Sequence, residues 1–417
     1  MKEWLSERMN KKWVSQRAKR CLMTEYPEDG LPSQIWGFAR CNQIIREMRE
    51  KRIEYTDLIG EHSSFQAPEY AYEAAKKAID SRYVKYAVYP DFNEAVAGYL
   101  KRKFKLEINP ETELLATAGS NMGIMLALQA LVDPGDEVLI MDPDYACYEP
   151  MARYEGAKVV PVPLRWKNGQ WKFDPEELKK RATRKTKLLM ITTPSNPAGI
   201  VYAKDDLEAI AELAVKNDFF VFSDELYAEH VYDGGEHLSI ATFPGMMERT
   251  VTVAGFSKCH WMSGFRIGYI VANEELIMHF GNGIRWAVQR APSVGQKVGA
   301  ALLTWSGYDA WIDEQRHRLQ HARDFMVRKV SEIDGVICNT PEGAVYVFPD
   351  VREPMKRSGM KSTQELTEYL LCEARASVYA GYPWGRNGEG HIRMHFGRPD
   401  EQIIEVVGRI KEAIEKL

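Results

Sequence analysis

Val251-Thr252-Val253-Ala254-Gly255-Phe256-Ser257-Lys258-Cys259-His260-Trp261-Met262-Ser263-Gly264-Phe265-Arg266-Ile267-Gly268-Tyr269-Ile270-Val271-Ala272 sets a lysine, a serine and an arginine between two short apolar runs. Val251 to Ala254 and Ile267 to Ala272 read as strands apolar on both faces, and such strands belong to sheets covered by helices on each side. The polar loop between them then hangs from a strand end. Back along the chain the same signature recurs at Val138 to Met141, Lys158 to Val162, Leu188 to Thr192 and Phe219 to Ser223, with helical stretches between. Asp205 and Glu208 predict a capping box opening a helix over Asp206 to Val215. The alternation implies an α/β fold with a mainly parallel sheet sandwiched by helices.

Beyond about residue 300 the pattern changes to long charged amphipathic helices, such as Ala310 to Ile333, with short strands near Ala344 to Phe348 and Gly390 to Phe396. This predicts a smaller α+β domain built from the two chain ends. The expected division is residues 1–64 as N-terminal arm and part of the small domain, 65–305 as the large domain, and 306–417 as the small C-terminal domain.

The 417 residues are too many for one ordinary core. A formal net charge of -4 gives no basic field for nucleic acid or anionic membrane. No apolar run approaches the roughly 20 residues of a membrane span. The start, Met1 to Arg20, mixes basic residues with Trp4, Leu5, Met9, Trp13 and Val14, and Glu3 and Glu7 dilute the charge. It reads as an arm packing on the body or a partner subunit, not as a secretory signal. The six cysteines are scattered without a CxxC pair, which predicts reduced thiols and a cytoplasmic protein.

In such sheets the loops at the carboxyl ends of the strands gather into one ligand crevice. Lys258 offers an amine to an aldehyde, while Ser257 and Arg266 can grip phosphate. Phe222-Ser223-Asp224-Glu225-Leu226-Tyr227 ends a buried strand on an aspartate, which is costly unless it meets a cation or donor. A protonated pyridine nitrogen is such a partner. Thr193-Pro194-Ser195-Asn196-Pro197-Ala198-Gly199 reads locally as a turn. Ala118-Gly119-Ser120-Asn121 opens an apolar helix whose free N–H groups suit an anion.

Together these segments resemble fold-type I pyridoxal 5′-phosphate (PLP) enzymes of the class I/II aminotransferase family, aspartate aminotransferase-like. The motifs are Phe256-Ser257-Lys258 with Met262-Ser263-Gly264-Phe265-Arg266-Ile267-Gly268-Tyr269, and Asn196-Pro197-Ala198-Gly199. The resemblance runs from about residue 55 to 417. It implies that Lys258 carries PLP as a Schiff base and shuttles the Cα proton, through a pyridoxamine phosphate intermediate. It implies that Asp224 pairs with the ring nitrogen, and that Asn196 and Tyr227 bond the ring hydroxyl. Gly119, Ser120, Asn121, Ser257 and Arg266 would hold the phosphate, and Tyr145 would stack on the ring. Arg393, in Gly388-Glu389-Gly390-His391-Ile392-Arg393, would clamp the substrate α-carboxylate with help from Gly60 and Asn196. Tyr83 would reach the phosphate of a neighbouring subunit, implying a homodimer with shared active sites.

The chain departs from the family pattern at Val88 and Asn93, at Gly255 where a phosphate-binding serine is common, and at His62-Ser63-Ser64 beside Gly60. The expected function is transfer of an amino group from an L-amino acid to a 2-oxo acid. A PLP-dependent lyase, β/γ-replacement enzyme or cyclase remains open, because the motifs specify cofactor and carboxylate more than the fate of the carbanion. A PLP-sensing regulator would need a DNA-binding domain, and the segment before residue 55 is too short for one. His317 and His321, four apart, lack a neighbouring acid and read as a solvated helix face; His391 and His395 share a strand face. No metal site is expected. Tyr86, Tyr89, Trp261, Arg285 and Trp286 are candidates for the substrate pocket, which would suit a bulky or acidic side chain.

Overall fold

The computed structural model describes Ser15 and residues 34–60, 64–82 and 84–417. The rest of the N-terminal arm, Glu61, His62, Ser63 and Tyr83 lie outside the described residues.

A seven-stranded sheet forms the centre, with strands β1 Leu114–Thr117, β2 Glu137–Asp142, β3 Lys158–Pro163, β4 Thr186–Thr192, β5 Phe220–Asp224, β6 Thr250–Gly255 and β7 Gly268–Val271. Their order across the sheet is β1-β7-β6-β5-β4-β2-β3. All neighbours are parallel except β7, which runs antiparallel to both β6 and β1. The reason lies in the connection: the Lys258 loop joins β6 to β7 without a crossover helix, so the second strand must return beside the first. β1 was not marked as a strand by its sequence, being four residues cut off by Ala118-Gly119.

Alternation along each strand sends side chains to two cores. Val138, Ile140, Leu188, Met190, Phe222 and Val253 pack on one face, under Ile124, Leu128 and Phe280. Leu139, Met141, Leu189, Ile191 and Val221 pack on the other, under Leu207 and Ile210. A separate core gathers Leu319, Met326, Leu366, Leu370, Met394, Val406 and Ile410 around a three-stranded antiparallel sheet, in which Ile392–His395 lies between Tyr346–Val347 and Tyr379–Ala380. Thr56–Asp57 pairs in parallel with Ala376–Ser377, so the chain's early part folds back onto its late part.

Boundaries shift modestly. The helix expected from Asp206 spans Lys204–Asn217; Ala203 supplies no side-chain cap, and the Asp206 carboxylate instead accepts from the Ala203 N–H at 3.1 Å. The long charged helix runs Tyr308–Val330.

Candidate active site

Because β1, β2, β4, β5 and β6 point the same way, their carboxyl ends open on one side, where a cavity of about 500 Å3 lies. Gly60, Ser120, Asn121, Tyr145, Asn196, Asp224, Tyr227, Ser257, Lys258, Arg266 and Arg393 all line it. Residues as far apart as Gly60 and Arg393 meet there. Gly119 lies directly behind Arg266, and Tyr83 falls outside the described residues.

Asp224 ends β5 and is 4% exposed. Its Oδ2 accepts from the Tyr148 hydroxyl at 3.0 Å and its Oδ1 from the Leu226 N–H at 3.1 Å. Burial pushes this carboxyl up to about 6, against the opposing pull of those two hydrogen bonds and of the Lys258 charge. Tyr148 also sits 2.8 Å from the Thr192 hydroxyl at the end of β4. A buried carboxyl raised this far is one that a cationic ring nitrogen would bring back to its ionised form.

Opposite, the helix Ser120–Leu131 starts with no side-chain cap, leaving its first N–H groups open. The Arg266 guanidinium reaches the Ala118 carbonyl at 3.4 Å and the Ser263 carbonyl at 3.1 Å, beside that helix end. Gly119 has φ of +83°, and a Cβ there would stand 2.3 Å from Arg266 Nη2. A Cβ on Gly255 would stand 3.0 Å from the Gly268 Cα, and one on Gly268 3.0 Å from the Ser120 nitrogen. Close packing of strand on strand thus accounts for Gly255. Helix end, Ser257 and Arg266 bring N–H, hydroxyl and guanidinium donors to one cavity, a set that suits an anion such as phosphate.

At the far end Arg393 is 6% exposed. Its Nη1 donates to Asn196 Oδ1 at 3.0 Å and its Nη2 to the Ile59 carbonyl at 2.9 Å. Its Nε is buried and has no hydrogen-bond partner among the described residues. Asn196 is fixed by its turn, in which the Ser195 N–H donates to the Ile200 carbonyl at 2.9 Å. An amine on a flexible arm, a buried carboxyl, an anion cradle and a guanidinium around one cavity match the donor set that a phosphate-bearing pyridine aldehyde and a carboxylate need.

Several lining residues carried no mark in the sequence. Ile59, Thr192, Ser263, Tyr346 and Tyr379 also face the cavity. Tyr346 lay inside a stretch legible only as a strand. Its ring centroid is 4.0 Å from the Arg393 guanidinium carbon, with Trp384 at 4.3 Å. The Tyr227 hydroxyl donates to the Tyr346 hydroxyl at 3.3 Å. Burial pushes Tyr227 well above the usual tyrosine range. Burial also acts to raise Tyr346, but the charges of Lys258 and Arg393, together with hydrogen bonding from Tyr227 and Arg393, outweigh it and hold that hydroxyl below its ordinary value.

The pocket candidates Tyr86, Tyr89, Trp261, Arg285 and Trp286 do not line this cavity. Trp261 stacks on Phe65 at 5.0 Å, while Tyr86 and Trp286 are each 82% exposed. Sequence proximity to the motifs misplaced them, since side-chain direction was not readable. His321 bonds Asp400 at 2.9 Å on the surface.

Residues 57–410 match the model of the family described as aminotransferase class I and II. The chain is 33% identical to the aspartate aminotransferase of Pyrococcus abyssi, over 85% of this chain and 90% of that protein. It is 32% identical to aromatic-amino-acid aminotransferase 2 of Thermococcus litoralis, over 86% and 91%. Among solved structures it resembles a single mutant of Thermus thermophilus aspartate aminotransferase, with a TM-score of 0.85, 29% identity and coverage of 97% and 100%. It likewise resembles the aromatic aminotransferase of Pyrococcus horikoshii, with a TM-score of 0.83, 30% identity and coverage of 91% and 98%. These relatives favour amino-group transfer over lyase chemistry. The chain therefore belongs to the class I and II aminotransferase family, whose members use pyridoxal phosphate, and it is an aminotransferase.

Proposed function

We propose that this aminotransferase holds pyridoxal 5′-phosphate on Lys258 and carries an amino group from an L-amino acid to a 2-oxo acid. Bound there, the cofactor supplies an aldehyde that takes up the substrate amine and a ring that draws electrons from Cα. Lys258 Nζ would attach the cofactor and would carry the proton of the substrate Cα. The Asp224 carboxylate would pair with the ring nitrogen. Asn196 and Tyr227 would hydrogen-bond the ring hydroxyl, and Tyr145 would stack on the ring. Gly119, Ser120, Asn121, Ser257 and Arg266 would hold the phosphate. Arg393 receives the α-carboxylate, with Gly60 and Asn196 beside it. The observation that carries this reading is the convergence of Lys258, Asp224, Arg266 and Arg393 on one cavity.

The preferred donor is an aromatic L-amino acid. Tyr346 and Tyr379 put two aromatic rings beside Arg393, and the cations of the cavity, Lys258, Arg266 and Arg393, already have roles. Aspartate, for which other relatives are named, is the comparator. The protein works as a cytoplasmic homodimer with shared active sites, and the exposed Tyr86 and Trp286 turn to the partner. Its large domain ends near residue 305, and the small domain combines the two chain ends.

The test is an absorbance titration of the purified protein with single amino acids, without any oxo acid. Conversion of the visible cofactor band, with one equivalent of the matching oxo acid released, supports the reading. Catalytic product formation without an acceptor overturns it.

A further inference from the structure

The Tyr346 side chain touches both halves of the site at once. Its ring lies under the guanidinium of Arg393, 4.0 Å from ring centroid to guanidinium carbon. Its hydroxyl accepts the hydrogen bond of Tyr227 at 3.3 Å. The residue is 4% exposed, and it sits on the short strand Tyr346–Val347 paired with the strand that carries Arg393. The two strands therefore fix ring and guanidinium relative to each other. A tyrosine has one hydroxyl proton, so Tyr227 cannot give it fully to Tyr346 and to a cofactor oxygen at the same time.

We propose that Tyr346 is a positioning residue that couples the carboxylate end of the site to the ring-hydroxyl end: its face orients Arg393 and its hydroxyl competes for the Tyr227 proton. This rests on the reading of Arg393 and Tyr227 given above. When a carboxylate pulls on Arg393, the strand pairing carries Tyr346 with it and changes its hold on Tyr227.

Two variants separate the two contacts. Tyr346→Phe keeps the face over Arg393 and removes the acceptor, so the Tyr227 proton passes wholly to the cofactor oxygen. Stronger donation there stabilises the deprotonated chromophore. The spectral midpoint of the PLP-loaded enzyme, titrated by absorbance without substrate, is expected to fall by about 0.5–1 pH unit, the weight of one neutral hydrogen bond. Tyr227→Phe removes the donor and is expected to move it upward. KM for the amino acid stays within about twofold in Tyr346→Phe, because the cation–π face remains. Tyr346→Leu removes that face and is expected to raise KM about 3- to 30-fold with a smaller change in kcat.

A Tyr346→Phe midpoint that moves by less than about 0.2 pH unit, or moves upward, overturns the proposal. So does an equal KM in Tyr346→Phe and Tyr346→Leu. Circular dichroism and the thermal midpoint identify a variant that has merely lost its fold, and the Phe variant, one oxygen smaller, keeps the test open if Leu is not tolerated. Absence of a visible band in the PLP-treated parent would instead sink the cofactor reading, which keeps the two failures distinct.

Discussion

The Tyr148 hydroxyl donates to Asp224 Oδ2 at 3.0 Å, in a pocket where burial, opposed by this bond, by the Leu226 N–H and by the Lys258 charge, raises that carboxyl to about 6. The pair decides when Asp224 is ionised. An ionised Asp224 is what pairs with a protonated ring nitrogen; a protonated one must first lose its proton. The sign follows: below about 6, PLP affinity of the cofactor-free protein is expected to weaken about tenfold per pH unit relative to an Asp224→Asn variant, and above it the ratio levels off. Tyr148→Phe removes a hydrogen bond to the charged form, worth about 1.5–3 kcal/mol, so this midpoint should rise by about 1–2 pH units. Fluorescence titration with PLP across the pH range reads both. An unmoved midpoint in Tyr148→Phe means that Asp224 does not govern cofactor affinity.

Lys258 lines the cavity between Ser257 and the Asp224 end of the site, and covalent attachment should depend on it alone. Borohydride treatment of the PLP-loaded parent is expected to add one cofactor mass, located on the peptide that carries Lys258. Lys258→Ala should bind PLP without that mass shift and lose turnover by at least about 10^4-fold, since both attachment and proton transfer go with it. Addition of small amines should restore a part of the rate. Sustained turnover by Lys258→Ala without added amine would remove Lys258 from the chemistry.

The strands were legible because β2, β4, β5 and β6 are buried on both faces, so an uninterrupted apolar run announced each one. The site residues were legible for a related reason. Most sit at strand ends or on strand-end loops whose Pro, Gly, Ser and Asn content stands out against those runs, while Arg393 lies inside the strand Ile392–His395 and was read through the family resemblance. Tyr346 and Tyr379 were not, because each lies in a two-residue strand among apolar neighbours, and a tyrosine there reads as core. The direction of Tyr86, Trp261 and Trp286 was equally hidden. Nothing in their local pattern says whether an aromatic ring turns to the cavity, to another ring or to the surface. The antiparallel β7 follows from the helix-free connection through Lys258, a topological fact that apolar runs do not encode.

Gly119 should tolerate no side chain. Its φ of +83° with ψ of 164° is a conformation held almost only by glycine and costs an ordinary residue about 1–3 kcal/mol, and a Cβ would also stand 2.3 Å from Arg266 Nη2. Arg266 can swing aside, but only by leaving the helix end that is proposed to take the phosphate. Gly119→Ala is therefore expected to weaken PLP binding by at least about tenfold, the equivalent of about 1.4 kcal/mol. Gly98, in the helix Pro90–Phe104, is the control, since a Cβ there would meet nothing within 4 Å. Gly98→Ala should leave PLP binding unchanged and hold or raise the thermal midpoint. Equal PLP affinity in Gly119→Ala and the parent would show that the phosphate binds elsewhere.

Arg393 is held by two hydrogen bonds, from Nη1 to Asn196 Oδ1 at 3.0 Å and from Nη2 to the Ile59 carbonyl at 2.9 Å, with the Tyr346 and Trp384 rings 4.0 and 4.3 Å from its guanidinium carbon. Lysine cannot reproduce this. Its ammonium is a point charge, without a plane to sit between rings or a fork to meet two carboxylate oxygens. Arg393→Lys is thus expected to lose about 2–4 kcal/mol of carboxylate binding, seen as a KM increase of about 30- to 1000-fold. The spectrum of the PLP-loaded enzyme without substrate should change little, because the phosphate cradle and Asp224 are untouched. The two readouts need each other. A raised KM with an intact spectrum places the carboxylate at Arg393, whereas a lost cofactor band would mean that the substitution collapsed the Asn196 turn, and an unchanged KM would mean that the carboxylate binds at another cation.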